Sequence, residues 1–258
     1  MNTVARPRAL VRRPGSRLAE GIVTHRSREH VDLTLATKQW ESYVEALQVH
    51  GWDVVEVPPL DDCADAVFIE DTIVVYKNTA VITHPGAVSR RPETSEAERV
   101  VASLGYSINH IKAPGTLDGG DVLKVGDTVF VGRGGRTNAA GVAQLRAILT
   151  PLGAHVVAVP ITKVLHLKSA VTALPDGTVI GYPPLVEDPF LFDRFMPVPD
   201  ESGAHVVDLG DGHLLMAADC LASVKVIGDL GYTPVVVDIG EFEKLEGCVT
   251  CLSVRLRP

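Results

Sequence analysis

The stretch TKQWESYVEALQVHGWDVVEVPPL, residues 37–60, contains the structural unit on which this chain is built. Its first half spaces apolar residues as an amphipathic helix does, and Gly51 follows as the expected helix stop. Its second half is a short Val-rich segment that ends at prolines, as a strand does. The unit therefore predicts a helix, a glycine turn and a strand.

Three further segments repeat this plan, at residues 95–114, 138–161 and 221–240. The glycines that end the four helices are Gly51, Gly105, Gly153 and Gly231. Their spacing leaves room for one degenerate unit across residues 185–216, and ALVRRPGS at residues 9–16 could supply a strand that closes the set. Each copy is followed by further strands and Gly turns. Strands that alternate with helices indicate an α/β protein, and four or five equal units of roughly 50 residues indicate a closed ring.

A length of 258 residues fits one or two domains, and we expect a single α/β domain over residues 1–258. Its mildly acidic balance is compatible with a small cationic ligand. A net charge of −8 argues against a nucleic-acid partner. No apolar run approaches the ~18 residues of a membrane span, and the arginine-rich N-terminus has no apolar segment of the kind a secretory signal needs. We therefore expect a cytoplasmic protein without membrane attachment. The Pro-rich residues 183–199 are predicted to form an irregular surface or lid loop.

The four cysteines are scattered, which does not predict a disulfide framework. Cys248 and Cys251 form a C-x-x-C, but no second ligand pair supports a zinc site. The residues that follow alternate as a strand, whereas a thioredoxin-like dithiol opens a helix. Burial as small apolar side chains is the plainest interpretation of both. Cys251 also stands at the entrance to the last strand, EGCVTCLSVRL, where it is a candidate nucleophile.

Further polar residues follow the helix-ending glycines at similar spacings. Thirteen residues separate Gly105 from Asp118, and thirteen separate Gly153 from His166. Glu70, with Asp71 beside it, follows Gly51 by nineteen residues, and Cys251 follows Gly231 by twenty. Equivalent positions of a ring converge at one end of its axis. We therefore expect these side chains to share a central site.

This set of residues is suited to nucleophilic catalysis. A histidine keeps a cysteine as thiolate and later activates water, and an aspartate fixes the imidazole tautomer. The surplus acids, Glu70 and Asp71, suit a planar cation, because guanidinium donors pair with carboxylates in bidentate fashion. Taken singly, His166 is more often structural, residues 118–121 are an ordinary turn, and the two acids mark a strand edge. Taken together, they indicate attack on a guanidinium carbon.

Six motifs carry a resemblance to a known family: VFIED, SRRPE, LDGGDVL, GGRTN, LHLKSAV and the terminal TCLSV. In order and spacing, over nearly the whole chain, they resemble the dimethylarginine dimethylaminohydrolases of the guanidino-modifying pentein superfamily. The resemblance implies a five-bladed α/β propeller, with pseudo-fivefold ββαβ repeats around a central active site. It also implies hydrolysis of Nω-methylated arginine to citrulline, with no metal and no cofactor.

The resemblance assigns roles to individual residues. Cys251 would be the nucleophile, His166 the general acid and base, and Asp118 the residue that orients His166. Glu70 and Asp71 would hold the guanidino nitrogens. The amino-acid end of the substrate would meet Asp65 at its α-amine, Arg90 and Arg136 at its carboxylate, and the backbone carbonyls of Leu18 and Leu245. Arg91 could take the place of Arg90.

Several alternatives stay open at this point. Arginine deiminases use the same residue types but typically carry an inserted helical domain, for which 258 residues leave no room. Agmatine lacks the carboxylate that Arg90 and Arg136 would bind. A non-catalytic pentein ring, of the ribosome anti-association type, and a metal site of Cys248, Cys251 and His166 are rivals of other classes. The preference for mono- or dimethylarginine, a monomeric or homodimeric state, and the lid (residues 18–28 or 183–199) are also open. Cys248 is either an inert filler or a thiol that resolves oxidised Cys251.

Overall fold

The computed structural model describes residues 6–257, so the first five residues and Pro258 lie outside the described part. For residues 1–5, the prediction that the N-terminus is not a secretory signal therefore rests on the sequence. The helices are α1 Leu33–Val49, α2 Thr94–Ser103, α3 Ala139–Leu149, α4 Leu221–Asp229 and α5 Gly240–Glu243. The strands are β1 Arg8–Val11, β2 Asp53–Glu56, β3 Ile73–Tyr76, β4 Thr79–Ile82, β5 Ser107–His110, β6 Val122–Val125, β7 Thr128–Arg133, β8 His155–Pro160, β9 Val171–Ala173, β10 Val179–Gly181, β11 Phe195–Pro197, β12 Val207–Gly210, β13 His213–Ala217, β14 Thr233–Val237 and β15 Val254–Leu256.

The strands form five small sheets of three strands each within the described residues. Their orders are β15-β1-β2, β3-β4-β5, β6-β7-β8, β9-β10-β11 and β12-β13-β14. In every sheet the first strand is antiparallel to the middle one, and the middle strand is parallel to the last. Parallel pairs need a crossover, which a helix supplies in four of the five sheets. The expected five-bladed α/β propeller is confirmed.

The first strands of all five sheets surround one central cavity of about 450 Å³. Residues of β3, β6, β9, β12 and β15 line it together. We call it the axial cavity. Apolar clusters fill the spaces between neighbouring sheets and under the helices, with Trp40 and Tyr43 of α1 among the most deeply buried side chains.

The ring closes by pairing the two ends of the described chain. β1 lies between β15, with Arg8 opposite Leu256, and β2, with Arg8 opposite Asp53. The prediction that the first residues supply the closing strand is confirmed. Each of the four glycines that follow a helix adopts a positive φ, between 81° and 96°, which a residue with a Cβ rarely tolerates.

The sheet β9-β10-β11 has no α-helix in its crossover. Its crossover contains 3-10 turns at Pro183–Leu185 and Pro189–Leu191 instead. Their prolines lack the N–H groups that an α-helix needs. The expectation of an irregular loop over residues 183–199 is therefore only partly right, because the segment also contains the edge strand β11.

Glu246, in the turn that follows α5, is left-handed, with a φ of 61°. Gly247 beside it is needed for its lack of a side chain, because a Cβ there would lie 2.3 Å from the ring of Phe68. Among the described residues no helix is both long and apolar enough to cross a bilayer.

The closing sheet makes a testable contribution to stability. Leu10 is fully buried in β1 and packs in the same cluster as Val254 and Leu256. We expect Leu10→Ala to lower the free energy of unfolding by about 2–5 kcal/mol, since it leaves a cavity. Val49→Ala, at a position 73% exposed on α1, is the control and should change it by less than about 0.5 kcal/mol. Urea unfolding of both variants measures this, and equal losses would contradict the role given to the closing sheet.

Candidate active site

The candidate residues lie on the short turns that lead into the first strands of the sheets. Glu70 and Asp71 belong to the 3-10 turn Ile69–Thr72, which precedes β3. Asp118 immediately precedes the turn before β6, and His166 immediately precedes the turn before β9. Cys251 lies in the turn before β15. All five side chains are buried. The polar residues that follow the helix-ending glycines at similar spacings thus lie on equivalent turns of the ring.

His166 lies between two carboxylates. Its Nε2 is 3.1 Å from Oδ2 of Asp118, and its Nδ1 is 3.7 Å from Oδ1 of Asp71. Burial on its own would lower the pKa of His166. The charge of Asp71 and the bond to Asp118 outweigh burial and raise this pKa to about 9. The imidazole is therefore protonated at neutral pH and can act as an acid.

Asp118 is held by groups other than His166 as well. Its Oδ1 accepts from the backbone N–H of Gly86 at 2.8 Å, and its Oδ2 from Nη1 of Arg136 at 3.3 Å. Burial would raise the pKa of Asp118, but the bond from His166 holds it below its ordinary value. A carboxylate fixed in this way can fix the orientation of the imidazole.

Asp71 is anchored by Arg90 and by the glycine pair of LDGGDVL. Nη1 of Arg90 donates to Oδ2 at 2.6 Å, and the N–H of Gly120 donates to Oδ1 at 2.8 Å. A Cβ at Gly120 would lie 2.6 Å from the His166 ring and 2.7 Å from Asp71. Only glycine allows this backbone to approach both side chains.

Glu70 lines the axial cavity, together with Lys168 and Arg255. Its Oε1 accepts from Lys168 at 2.6 Å and from Arg255 at 2.5 Å. Its Oε2 is buried and has no hydrogen-bond partner among the described residues. A buried carboxylate oxygen without a donor is costly, so a ligand N–H at this position would be stabilising.

Cys251 adjoins Glu70 through the backbone and Cys248 through its side chain. Its carbonyl accepts from the N–H of Glu70 at 3.2 Å. Its Sγ lies 3.3 Å from Sγ of Cys248. The hydrogen bond between the two thiols raises the pKa of Cys251 and lowers the pKa of Cys248 to about 5.

The residues predicted for the amino-acid end lie nearby. Arg90 donates to Glu93, to Asp71 and to the carbonyls of Asp65 and Phe68. These bonds give Arg90 the role of holding Asp71. Its contact with a substrate carboxylate stays a prediction.

Arg136 is buried, and its only hydrogen bond within the described residues goes to Asp118. Arg91 is half-buried and donates to the carbonyl of Pro85. Either arginine stays a candidate for the substrate carboxylate.

The candidate lid over residues 18–28 is tied to the turn that follows α5. The Glu246 carboxylate accepts from the backbone N–H groups of Thr24, His25 and Arg26. At the start of this segment, Asp65 Oδ1 accepts from the N–H of Ile22 at 2.9 Å. The carbonyl of Leu18 accepts from Gly21 at 2.9 Å, and Leu245 is buried one residue before Glu246. The predicted contacts of these two leucines with substrate stay predictions.

Sequence reasoning missed four charged residues of this network, namely Glu93, Asp121, Lys168 and Arg255. Each stands inside or next to a motif that was recognised, which is the signal that could have found them. Asp121 accepts from the hydroxyl of Thr137 at 2.6 Å and from the N–H of Leu167 at 2.9 Å, and so positions the turn that carries His166. Burial raises the pKa of Asp121 to about 6.

Asp71, Asp118 and His166 also form a possible ligand set, with donor atoms within 4.8 Å of one another. Arg90 and Arg136 already neutralise the two carboxylates, and the protonated imidazole is not a metal ligand. The rival set of Cys248, Cys251 and His166 is not among the groups of close donors in residues 6–257. The geometry therefore fits an ion-pair network better than a metal centre.

Comparisons with known proteins agree with this geometry. The family model for arginine deiminase matches residues 28–227. A dimethylarginine dimethylaminohydrolase of Streptomyces coelicolor is 68% identical over 97% of both chains, and one of Pseudomonas aeruginosa is 33% identical over 95% of this chain and 98% of its own. A crystal structure of a dimethylarginine dimethylaminohydrolase adduct with S-methyl-L-thiocitrulline, 32% identical, covers 98% of this chain and all of its own, with a TM-score of 0.92. The N-terminal domain of the cyanobacterial arginine dihydrolase ArgZ shares the fold, with a TM-score of 0.86 at 17% identity over 96% of this chain and 97% of its own.

The buried position of His166 predicts a pH-dependent stability. Its pKa rises from 6.5 to about 9 on folding, so the folded protein binds a proton in this window that the unfolded chain releases. The free energy of unfolding should therefore fall as pH increases from about 6.5 to about 9. Asp118→Asn removes one carboxylate, so the NMR titration of His166 should move to lower pH and this fall should become smaller.

Glu98→Gln is the control for this experiment, because Glu98 pairs with an exposed histidine, His110, at 2.9 Å. It should leave the His166 titration where it is. An unchanged His166 titration in Asp118→Asn would contradict the assigned contact.

Proposed function

The chain belongs to the dimethylarginine dimethylaminohydrolases of the arginine deiminase family, and we propose that it hydrolyses Nω-methylated arginine to citrulline and a methylamine through a covalent intermediate on Cys251. The chain is thus an amidine hydrolase of the pentein superfamily. Its fold and its relatives favour this activity over a non-catalytic pentein ring.

The observation that carries the proposal is the surplus of acid around a thiol and an imidazolium. Asp71 lies 3.7 Å from His166, the N–H of Glu70 donates to the carbonyl of Cys251, and Glu70 Oε2 has no donor within the described residues. A guanidinium supplies planar N–H donors and a positive charge, which match both needs. The same cation favours the thiolate form of Cys251 once it binds, since opposite charges at short range stabilise each other.

The proposed reaction has two halves. First, the Cys251 thiolate attacks the guanidinium carbon, and the bond from that carbon to the methylated nitrogen breaks. Protonated His166 gives its proton to the departing methylamine or dimethylamine, and a thiouronium remains on Cys251. Second, neutral His166 takes a proton from water, the hydroxide attacks the same carbon, and the C–S bond breaks while the remaining proton of that water passes to solvent. Citrulline leaves and Cys251 returns as thiolate.

The amino-acid end of the substrate extends toward the remaining predicted residues. We assign the α-amine to Asp65, and the carboxylate to Arg136 with Arg90 behind it. The carbonyls of Leu18 and Leu245 would complete this end. The assignment of Arg136 rests on its burial beside Asp118 and on the guanidinium donors that its one bond leaves available. This end distinguishes a free amino acid from agmatine, which has no carboxylate.

The proposed steps use only side chains and water, so they require no cofactor. A cytoplasmic location and a monomer or homodimer without nucleic-acid or membrane partners complete the proposal, in keeping with the net charge of −8. A preference for dimethyl- or monomethylarginine depends on the space around the leaving nitrogen.

A parallel citrulline assay tests the reaction. Arginine, monomethylarginine, asymmetric dimethylarginine and agmatine are supplied separately, and turnover should be confined to the two methylated substrates. Cys251→Ser should lower kcat by on the order of 10³-fold or more, because the hydroxyl is a far weaker nucleophile. Cys63→Ser, at a position equally buried, is the matched control and should retain activity. Substantial turnover by Cys251→Ser would overturn the assignment.

The role of Arg136 is tested by its effect on KM. Arg136→Ala should raise KM for a methylated arginine by about 10- to 100-fold, the value of one charge-assisted hydrogen bond. Because Arg136 also contacts Asp118, kcat is measured separately and should fall less than KM rises. Arg133→Ala removes an exposed arginine three residues away and should leave both constants unchanged. A KM unchanged in Arg136→Ala would contradict carboxylate binding there.

A further inference from the structure

The proposed reaction leaves Cys248 unused, although this residue is in contact with the nucleophile. The two Sγ atoms are 3.3 Å apart. The N–H of Cys251 donates to the carbonyl of Cys248 at 3.0 Å, so the two cysteines stand at the ends of one tight turn. A disulfide needs sulfur atoms about 2.05 Å apart, which requires an approach of only about 1.2 Å.

Cys248 has its own approach from the surface. A second cavity, of about 520 Å³, is lined by Cys248 together with Gly247, His205 and Tyr182, whereas Cys251 is not among its lining residues. His205 immediately follows the 3-10 turn Ser202–Ala204, which leads into β12. A small polar oxidant can reach Cys248 through this cavity without passing the substrate site.

The surroundings of Cys248 favour a reactive sulfur. Its Sγ contacts Oγ1 of Thr250 at 3.2 Å as well as Sγ of Cys251. The bond from Cys251 lowers the pKa of Cys248 to about 5 against the effect of burial, and the nearby His205 acts in the same direction. A thiolate is the form of cysteine that peroxides oxidise. By contrast, burial raises the pKa of both Cys63 and Cys220.

We propose that Cys248 and Cys251 are a modification site, at which hydrogen peroxide forms a reversible disulfide that switches off the nucleophile. In the first step, the Cys248 sulfur attacks one oxygen of the peroxide. An S–O bond forms and the O–O bond breaks. The leaving hydroxide takes up from solvent the proton that Cys248 released on ionising and becomes water, and Cys248 is left as a sulfenic acid.

In the second step, the Cys251 sulfur attacks the Cys248 sulfur, so that the S–S bond forms and the S–O bond breaks. The second hydroxide leaves as water with the proton of Cys251. Two thiols have then lost two electrons to one peroxide, which has become two waters. The expected loss of activity rests on the proposed role of Cys251 as nucleophile. Formation of the disulfide does not depend on that role.

Peptide mapping of the whole protein tests the disulfide directly. Trypsin cleaves after Lys244 and Arg255, so one peptide, residues 245–255, carries both cysteines. After peroxide treatment this peptide should be about 2 Da lighter, as expected for loss of two hydrogens, and should resist alkylation. Dithiothreitol should reverse both changes. Cys63 and Cys220 lie in other peptides and should stay open to alkylation after denaturation, which makes them internal controls.

Activity measured in the same samples tests the switch. Citrulline formation should fall as the lighter peptide appears and return with dithiothreitol. In Cys248→Ser no disulfide can form, so excess peroxide should carry Cys251 beyond the sulfenic acid to the sulfinic acid, which dithiothreitol does not reduce, and recovery should be smaller than in the wild type. Cys63→Ser should behave as the wild type does. The wild-type mapping stands by itself if Cys248→Ser fails to fold.

The possible outcomes separate the two proposals. Irreversible loss in the wild type without the lighter peptide, or equal recovery in Cys248→Ser, would overturn the disulfide. A lighter peptide in a protein that never forms citrulline would support the disulfide and overturn the proposed function.

Discussion

The imidazolium of His166, buried between Asp118 and Asp71, is the interaction on which the centre of the ring depends. Burying two carboxylates so close together would be prohibitive without a cation between them. Each carboxylate has a second anchor as well, a backbone N–H and an arginine. The turns that supply these groups come from three different sheets. The charge network therefore links three of the five sheets at the centre of the ring.

The network extends from His166 toward the axial cavity. One carboxylate oxygen of Glu70 accepts hydrogen bonds from Lys168 and Arg255, and the other has no donor among the described residues. The protein therefore satisfies one oxygen of Glu70 and not the other. The glycines of LDGGDVL allow this density of charge, because a side chain at Gly119 would place its Cβ 2.0 Å from the carbonyl of Glu70.

Much of this arrangement could be predicted from the sequence. Four helix–glycine–strand copies indicated the ring, and equal spacing from the glycines predicted that Asp118 and His166 occupy equivalent turns. The pairing of Glu70 with Arg255 could not be predicted in this way, because the two residues are 185 positions apart and their meeting depends on side-chain direction.

The role of Arg90 illustrates the same limit. Its motif indicated a cation near the site, but only the folded chain shows that Asp71, Glu93 and two carbonyls accept its hydrogen bonds. The crossover before β11 does not match the helix–glycine–strand repeat, because prolines stand in it where the other copies have a helix.

The pairing of β1 with β15 has a consequence for how the protein is made. During synthesis the first strand emerges at once, yet one of its two neighbours is among the last residues of the described chain. Four sheets can form before β15 is made, but the fifth cannot. Cys251 lies three residues before β15, so the proposed nucleophile takes its place only when the ring closes. A nascent chain can thus bring its acids and its histidine together before Cys251 joins them.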